Sequence, residues 1–172
     1  MKLGAKIFGG LSIVLLLFLL IGIALPGTWR AEQEALFPGT PADVFPFLNS
    51  LLAWEAWTPF PEAGLESFGP AEGIGAGIRW DDPQYGRGEA QITGSSAGRE
   101  VSYEVKIEDG RLTIQGRMTL LSEAGGVRIR WVEEGDFGWN PLMGYASNGM
   151  AGAQGEAMGA SLERLRVLVG GG

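Results

Sequence analysis

Between residues 75 and 133, apolar and polar side chains alternate in short runs set off by turn signals. That pattern commits this part of the chain to an antiparallel sheet with one wet face. In the run 100–107, Val101, Tyr103, Val105 and Ile107 share a face. Asp109-Gly110 follows as a strong two-residue hairpin signal. The run 111–121 puts Leu112, Ile114, Met118 and Leu120 on one face and Thr113, Gln115, Arg117 and Thr119 on the other. After Gly125-Gly126, residues 127–133 place Val127, Ile129 and Trp131 inward. Further strands are predicted over 29–37, 65–68, 75–80 and 85–93, the last two joined by the turn Asp81-Asp82-Pro83-Gln84.

Residues 140–169 read as one long helix. Met150, Ala153, Ala157, Met158, Ser161, Leu162, Leu165, Leu168 and Val169 recur at spacings of three and four and form one stripe. Asn140 before Pro141 is a start signal, and Gly170-Gly171-Gly172 is a stop. A straight helix of this length would run roughly 43 Å, longer than so small a domain is wide, so a break is expected near Asn148-Gly149. Gly149, Gly152, Gly155 and Gly159 stand inside it, and each interior glycine costs about 1 kcal/mol relative to alanine. The plain reading is close packing on the sheet, or simply the glycine richness of a chain with 29 of them; the functional one is absent side chains that leave an apolar space between helix and sheet. Two short helices are predicted near the front. One starts at Pro41, capped by Thr40, with Val44, Phe45, Phe47 and Leu48 buried; the other covers 51–57.

Residues 8–25 form an uncharged run of 18 positions, about 27 Å as a helix and close to a bilayer's hydrocarbon thickness. Lys2 and Lys6 precede it, and no basic residue follows until Arg30. The expectation is a single-pass membrane protein, N-terminus cytoplasmic and domain on the extracytoplasmic (periplasmic) side. A cleaved signal peptide is the alternative, with Gly22-Ile23-Ala24 as cleavage site, although the apolar run exceeds a usual signal core. The organisation expected is a short cytoplasmic stretch (1–7), a transmembrane anchor (8–25) and one domain (28–172). That domain carries all 20 acidic residues and all but two of the 13 basic ones. Such a balance opposes binding to nucleic acid or to anionic lipid headgroups.

Four segments carry a family likeness: Ala53-Trp54-Glu55-Ala56-Trp57-Thr58-Pro59-Phe60, Gly73-Ile74-Gly75-Ala76-Gly77-Ile78-Arg79-Trp80, Gly86-Arg87-Gly88-Glu89-Ala90-Gln91-Ile92 and Gly126-Val127-Arg128-Ile129-Arg130-Trp131. In this order they resemble the SRPBCC superfamily, most closely its bacterial polyketide cyclase/dehydrase-like branch, related to START and Bet v 1 domains. The resemblance covers about 29–169. It implies an α+β helix-grip fold: a seven-stranded antiparallel sheet around a long C-terminal helix with an apolar cavity between them, here preceded by one transmembrane helix. It supplies no catalytic constellation.

The chain has no histidine and no cysteine. Ser-His and Cys-His nucleophilic sites, disulfides and ordinary zinc or transition-metal centres are therefore out of reach, and neither metal nor cofactor is expected. Proton transfer would have to use a carboxyl. Glu133, Glu134 and Asp136 are the nearest candidates, with a solvated strand end as their plain reading. Asp81-Asp82 reads as a hairpin turn rather than a calcium loop. Gly73-x-Gly75-x-Gly77 leads into a strand, not a helix, so it is no phosphate loop. Arg128 and Arg130 read as solvated charges on the outer face.

The candidate ligand-binding set is Trp57, Tyr103, Ile114, Met118, Trp131, Met150, Gly155 and Met158. Aromatics and methionines around a glycine-lined helix suit an adaptable apolar space, and the Tyr103 hydroxyl would orient a polar end. Phe137, Trp139, Leu142 and Met143 form a second apolar group near the mouth of the fold. The function expected is a membrane-anchored, non-enzymatic domain that holds a lipid or other hydrophobic small molecule. Two alternatives stand beside it. One is an accessory or structural subunit of a membrane protein complex, with Gly9-Gly10 and Gly22 letting other helices approach. The other is a cyclase or dehydratase working without histidine.

Overall fold

A computed structural model describes residues 2–138 and 142–171, with side chains from residue 10 onward except at 148. In chain order the elements are α1 (Lys2–Ala24), β1 (Thr28–Phe37), α2 (Pro41–Leu48), a 3-10 turn (Leu51–Ala56), β2 (Glu66–Phe68), β3 (Gly77–Asp82), β4 (Gly86–Ser96), β5 (Glu100–Ile107), β6 (Leu112–Glu123), β7 (Gly126–Asp136) and α3 (Met143–Gly170). The strands form one antiparallel sheet in the order β1-β7-β6-β5-β4-β3-β2. Hairpins account for every neighbour except one: β1 pairs with β7, Trp29 opposite Gly135 and Phe37 opposite Val127. Sheet and final helix fit the expected helix-grip fold.

The alternation seen in the sequence decides which face is covered. Along β7, Val127, Ile129, Trp131, Glu133 and Gly135 turn inward, while Arg130, Glu134 and Asp136 are exposed. Along β6, Met118 and Leu120 are buried and Arg117 and Leu121 are exposed. The outer face carries an ion-pair ladder. Arg30 meets Glu32 and Glu134, Arg130 meets Glu32 and Glu34, and Arg128 meets Glu123 and Glu34. The Arg130 guanidinium holds the Glu32 carboxyl below its ordinary range.

α2 begins as predicted. The Asp43 carboxylate accepts hydrogen bonds from the Thr40 backbone N–H at 2.7 Å and from its hydroxyl at 2.8 Å. Val44 and Leu48 of this helix are fully buried, Phe45 and Phe47 partly so.

The start signal Asn140-Pro141 lies outside the described residues. One expectation about α3 needs correction: the helix is unbroken through 148–149 from Met143 to Gly170. Its 28 residues span about 42 Å. The excess length needs no kink, because the first turns of α3 lie against the end of α1 rather than the sheet. Tyr145 stacks on Phe18 with ring centroids 4.6 Å apart and donates a hydrogen bond to the Phe18 carbonyl at 2.6 Å. Ser147 Oγ donates to the Pro26 carbonyl at 2.9 Å. Gly144 sits against the Gly22 carbonyl, where a Cβ would come within 2.7 Å.

Residues 8–24 of the expected transmembrane anchor, 8–25, fall in α1, and its large side chains from Leu11 to Ile23 are exposed. Among the described residues no helix is long and apolar enough to cross a membrane. The fold therefore gives no support to a membrane span.

Candidate functional site

Between the inner face of the sheet and the middle of α3 lies a cavity of about 260 Å³. The sheet contributes Ile78, Trp80, Ala90, Tyr103, Val105, Ile107, Ile114, Trp131 and Glu133, and α3 contributes Gln154, Ala157, Met158 and Ser161. Leu51, Trp54 and the segment 58–61 close one side, and Tyr85 stands at the β3–β4 turn. Pro59 is exposed and Phe60 and Tyr85 half-buried, so the cavity reaches the surface there. The other large depressions lie on the outer face; one is lined by Arg30, Arg117, Arg130 and Glu134.

Glu133 is the one charged side chain in the cavity lining, and only 4% of its surface is exposed. Tyr103 donates its hydroxyl proton to Glu133 Oε1. Gln154 Nε2 donates to Glu133 Oε2 at 2.5 Å, and Trp131 Nε1 donates to Tyr103 Oη at 2.8 Å. All three donors run toward the carboxyl, which suits its ionised, acceptor-only form. No arginine or lysine faces it among the described residues, and burial outweighs these hydrogen bonds, raising the Glu133 pKa above the ordinary carboxyl range. Burial, and then the nearby carboxylate, push the Tyr103 phenol well above its usual value.

One missing side chain makes this cluster possible. Gly116 of β6 pairs with Tyr103 on one side and Glu133 on the other. The two partners are thus two strand spacings apart, roughly 9.6 Å. The Tyr103 ring crosses that gap by lying over Gly116, where a Cβ would come 2.0 Å from the ring and 2.4 Å from the hydroxyl oxygen. Trp54 meets the Tyr103 ring edge-on at 4.7 Å, with its own indole N–H bonded to the Leu48 carbonyl at 3.1 Å. Trp80 likewise lines the cavity, and its indole N–H is buried without an acceptor among the described residues.

Asp82 fixes the rim. Its Oδ2 accepts from the backbone N–H groups of Glu62 and Ala63 at 3.1 and 3.0 Å, and Oδ1 from those of Gln84 and Tyr85 at 2.7 and 3.2 Å. The backbone N–H of Gln84 leads in lowering its pKa. Asp82, placed in a turn by the sequence, in fact ends β3 and clamps the 61–63 segment to the β3–β4 turn. We expect Asp82→Ala to free four backbone donors, speed proteolytic cleavage at 58–64 and lower the melting temperature. Wild type should follow the same course in acid: a depressed carboxyl stabilises the fold above the unfolded pKa, and that contribution is lost as pH falls through the folded one. Equal cleavage rates in both proteins would refute the clamp.

Of the eight predicted ligand residues, Tyr103, Ile114, Trp131 and Met158 line the cavity. Trp57 and Met118 are fully buried behind it; Trp57 packs on Trp54 and Trp131, and Met118 pairs across strands with Trp131. Met150 packs on the core nearer the start of α3, outside the lining. Gly155 faces β1, where a Cβ would lie 3.4 Å from Gln33 Nε2, and Gly159 faces the same side chain. Gly149 and Gly152 meet nothing within 4 Å. The glycines therefore serve close packing and open surface; they do not border the cavity, which α3 meets with Ala157 and Met158. In the second apolar group, Phe137 packs on the core, Leu142 is exposed, and Trp139 lies outside the described residues.

The sequence names Glu133 as a candidate acid with a solvated strand end as its plain reading, which burial overturns; it does not point to Gln154, Trp54, Trp80 or the 58–61 segment. For Glu133 the signal existed: two-residue periodicity carried on from Val127, Ile129 and Trp131 turns residue 133 inward. Its neighbours Glu134 and Asp136 are exposed as expected. Residues 28–170 match the family described as polyketide cyclase / dehydrase and lipid transport. The chain belongs to this family. No curated protein matches it. Among solved structures it is similar to a protein of unknown function from Staphylococcus aureus (TM-score 0.64, 12% identity, 83% of this chain and 93% of that one). It is also similar to an uncharacterised Rhizobium leguminosarum protein (0.59, 17%, 84% and 96%). A third is the di-domain ARO/CYC protein StfQ of the steffimycin biosynthetic pathway (0.61, 13%, 81% and 50%). At these identities the likeness establishes the fold alone.

Proposed function

We propose that this protein binds a small hydrophobic molecule in the cavity between sheet and α3. The observation that carries the reading is the cavity: about 260 Å³ of space walled by Trp54, Phe60, Trp80, Tyr85, Tyr103 and Trp131. At roughly 30 Å³ for each water-sized volume, it suits a ligand body of one or two rings or one short chain, and is too small for a two-chain lipid. Extraction of the purified protein into organic solvent followed by mass spectrometry tests the occupant. Ala157→Phe places a ring in the cavity and should abolish uptake of a fluorescent apolar probe while the melting temperature holds or rises. Undiminished uptake by that variant would sink the assignment.

Membrane attachment through α1 belongs to the same proposal. Its support is the row of exposed apolar side chains from Leu11 to Ile23, with Lys2 and Lys6 favouring a cytoplasmic N-terminus. The domain would then stand on the extracytoplasmic side. Flotation of the full chain with phospholipid vesicles checks this, and protein left at the bottom of the gradient would refute it.

Glu133 favours a second reading, proton-transfer chemistry of the cyclase or dehydratase type. A buried carboxyl with a raised pKa, bonded to a phenol and open to the cavity, is the type of acid–base group such chemistry needs.

A further inference from the structure

The character of the cavity's one charge narrows the ligand class. Glu133 is bonded by Tyr103 and Gln154, which occupy two of the roughly four lone-pair sites of a carboxylate. The outer-face carboxylates Glu32, Glu34 and Glu134 each meet arginine, but no lysine or arginine lines the cavity. An ionised Glu133 would repel an anionic ligand with nothing to offset it, and under a neutral apolar ligand Glu133 would be buried either protonated or with its charge uncompensated. The remaining walls are aromatic, and indole and phenol faces attract cations.

Resting on the cavity reading above, we propose that the ligand is a small organic cation, an amine or quaternary ammonium on an apolar body, held by Glu133 and the rings of Trp54, Trp80, Tyr103 and Trp131. The acidic surface of the domain favours approach of such a ligand. A choline lipid headgroup is not the source, because its phosphate would find no cation in the lining.

Phenyltrimethylammonium, tert-butylbenzene and benzenesulfonate are matched in size and differ in charge. Titrated into the full-length protein and followed by tryptophan fluorescence, the cation should bind at least about tenfold tighter than the neutral probe, and the anion should not bind. Glu133→Gln should remove most of the cation's advantage, leaving only what the aromatic rings supply, and leave the neutral probe unchanged. In wild type, affinity for this permanently charged probe should rise with pH as Glu133 ionises; the other titratable side chains in the lining are the phenols of Tyr85 and Tyr103. This arm needs no variant.

Equal affinity of cation and neutral probe in wild type, or a cation preference undiminished in Glu133→Gln, overturns the proposal while the cavity reading stands. Binding of none of the three overturns both. Phosphorylcholine binding as tightly as choline would assign the site to a lipid headgroup and overturn the proposal too.

Discussion

Gly116→Ala should lower the stability of the protein by about 3 kcal/mol, combining overpacking with a lost buried hydrogen bond, and its melting temperature by roughly 10 °C. The added methyl would sit 2.0 Å from Cζ of Tyr103. That ring is 2% exposed and packed edge-on against Trp54, so it cannot shift without breaking that contact. Moving it separates its hydroxyl from Glu133 and leaves the carboxyl with Gln154 alone. Thermal melts read the effect. Gly152→Ala is the control of opposite sign: a Cβ there meets nothing within 4 Å, so it should stabilise by up to about 1 kcal/mol. In a Tyr103→Ala background the Gly116→Ala substitution should cost little, since its target is gone. Full additivity of the two would show that Gly116 acts by some route other than the ring.

The second large effect is a dependence on pH. Glu133 is raised by burial, so between its unfolded value near 4.5 and its folded value the native state binds the extra proton. Its contribution is thus full below the unfolded pKa and is lost as pH rises through the folded one. Each tenfold increase in proton affinity on folding corresponds to ~1.4 kcal/mol. Denaturant melts between pH 4 and 8 should show wild type losing stability relative to Glu133→Gln as pH rises, because the amide has no charge to bury. Parallel curves would mean that Glu133 has the same proton affinity folded and unfolded, and the account of its burial would fail. Asp82 has the opposite sign and titrates below this window, so the comparison isolates Glu133.

The two effects meet in one row of the sheet, Tyr103–Gly116–Glu133. Register makes that row, and the turns set the register. The β5–β6 hairpin passes through Glu108, Asp109 and Gly110, all at positive φ, near the Asp-Gly signal in the sequence. A slip of one residue would turn Tyr103 outward and dismantle the site.

Much of this architecture was legible in the chain. Alternation over 100–107 gives β5 to the residue, and the inward faces of β6 and β7 follow from it because side chains on a strand repeat every two residues. Strand boundaries drifted where Asp81-Asp82 and Gly75 were read as turn and strand; β3 in fact begins at Gly77 and runs through Asp82. Periodicity says which face a residue takes, but not what lies opposite. The glycines of α3 looked like cavity lining from spacing alone, yet Gln33 of β1 fills the space beside two of them.

The sequence by itself determined the strands and the long helix, because local periodicity and turn chemistry act over a few neighbouring residues, and four segments in order carried the resemblance to the family. Only the tertiary structure decided the site. Trp54, Tyr103, Glu133 and Gln154 come from four separate parts of the chain, and their meeting depends on strand register and on how α3 lies across the sheet. Burial turned Glu133 from one acid among 20 into the cavity's single charge, since a carboxyl's behaviour is set by the solvent and partners around it and not by its neighbours in sequence.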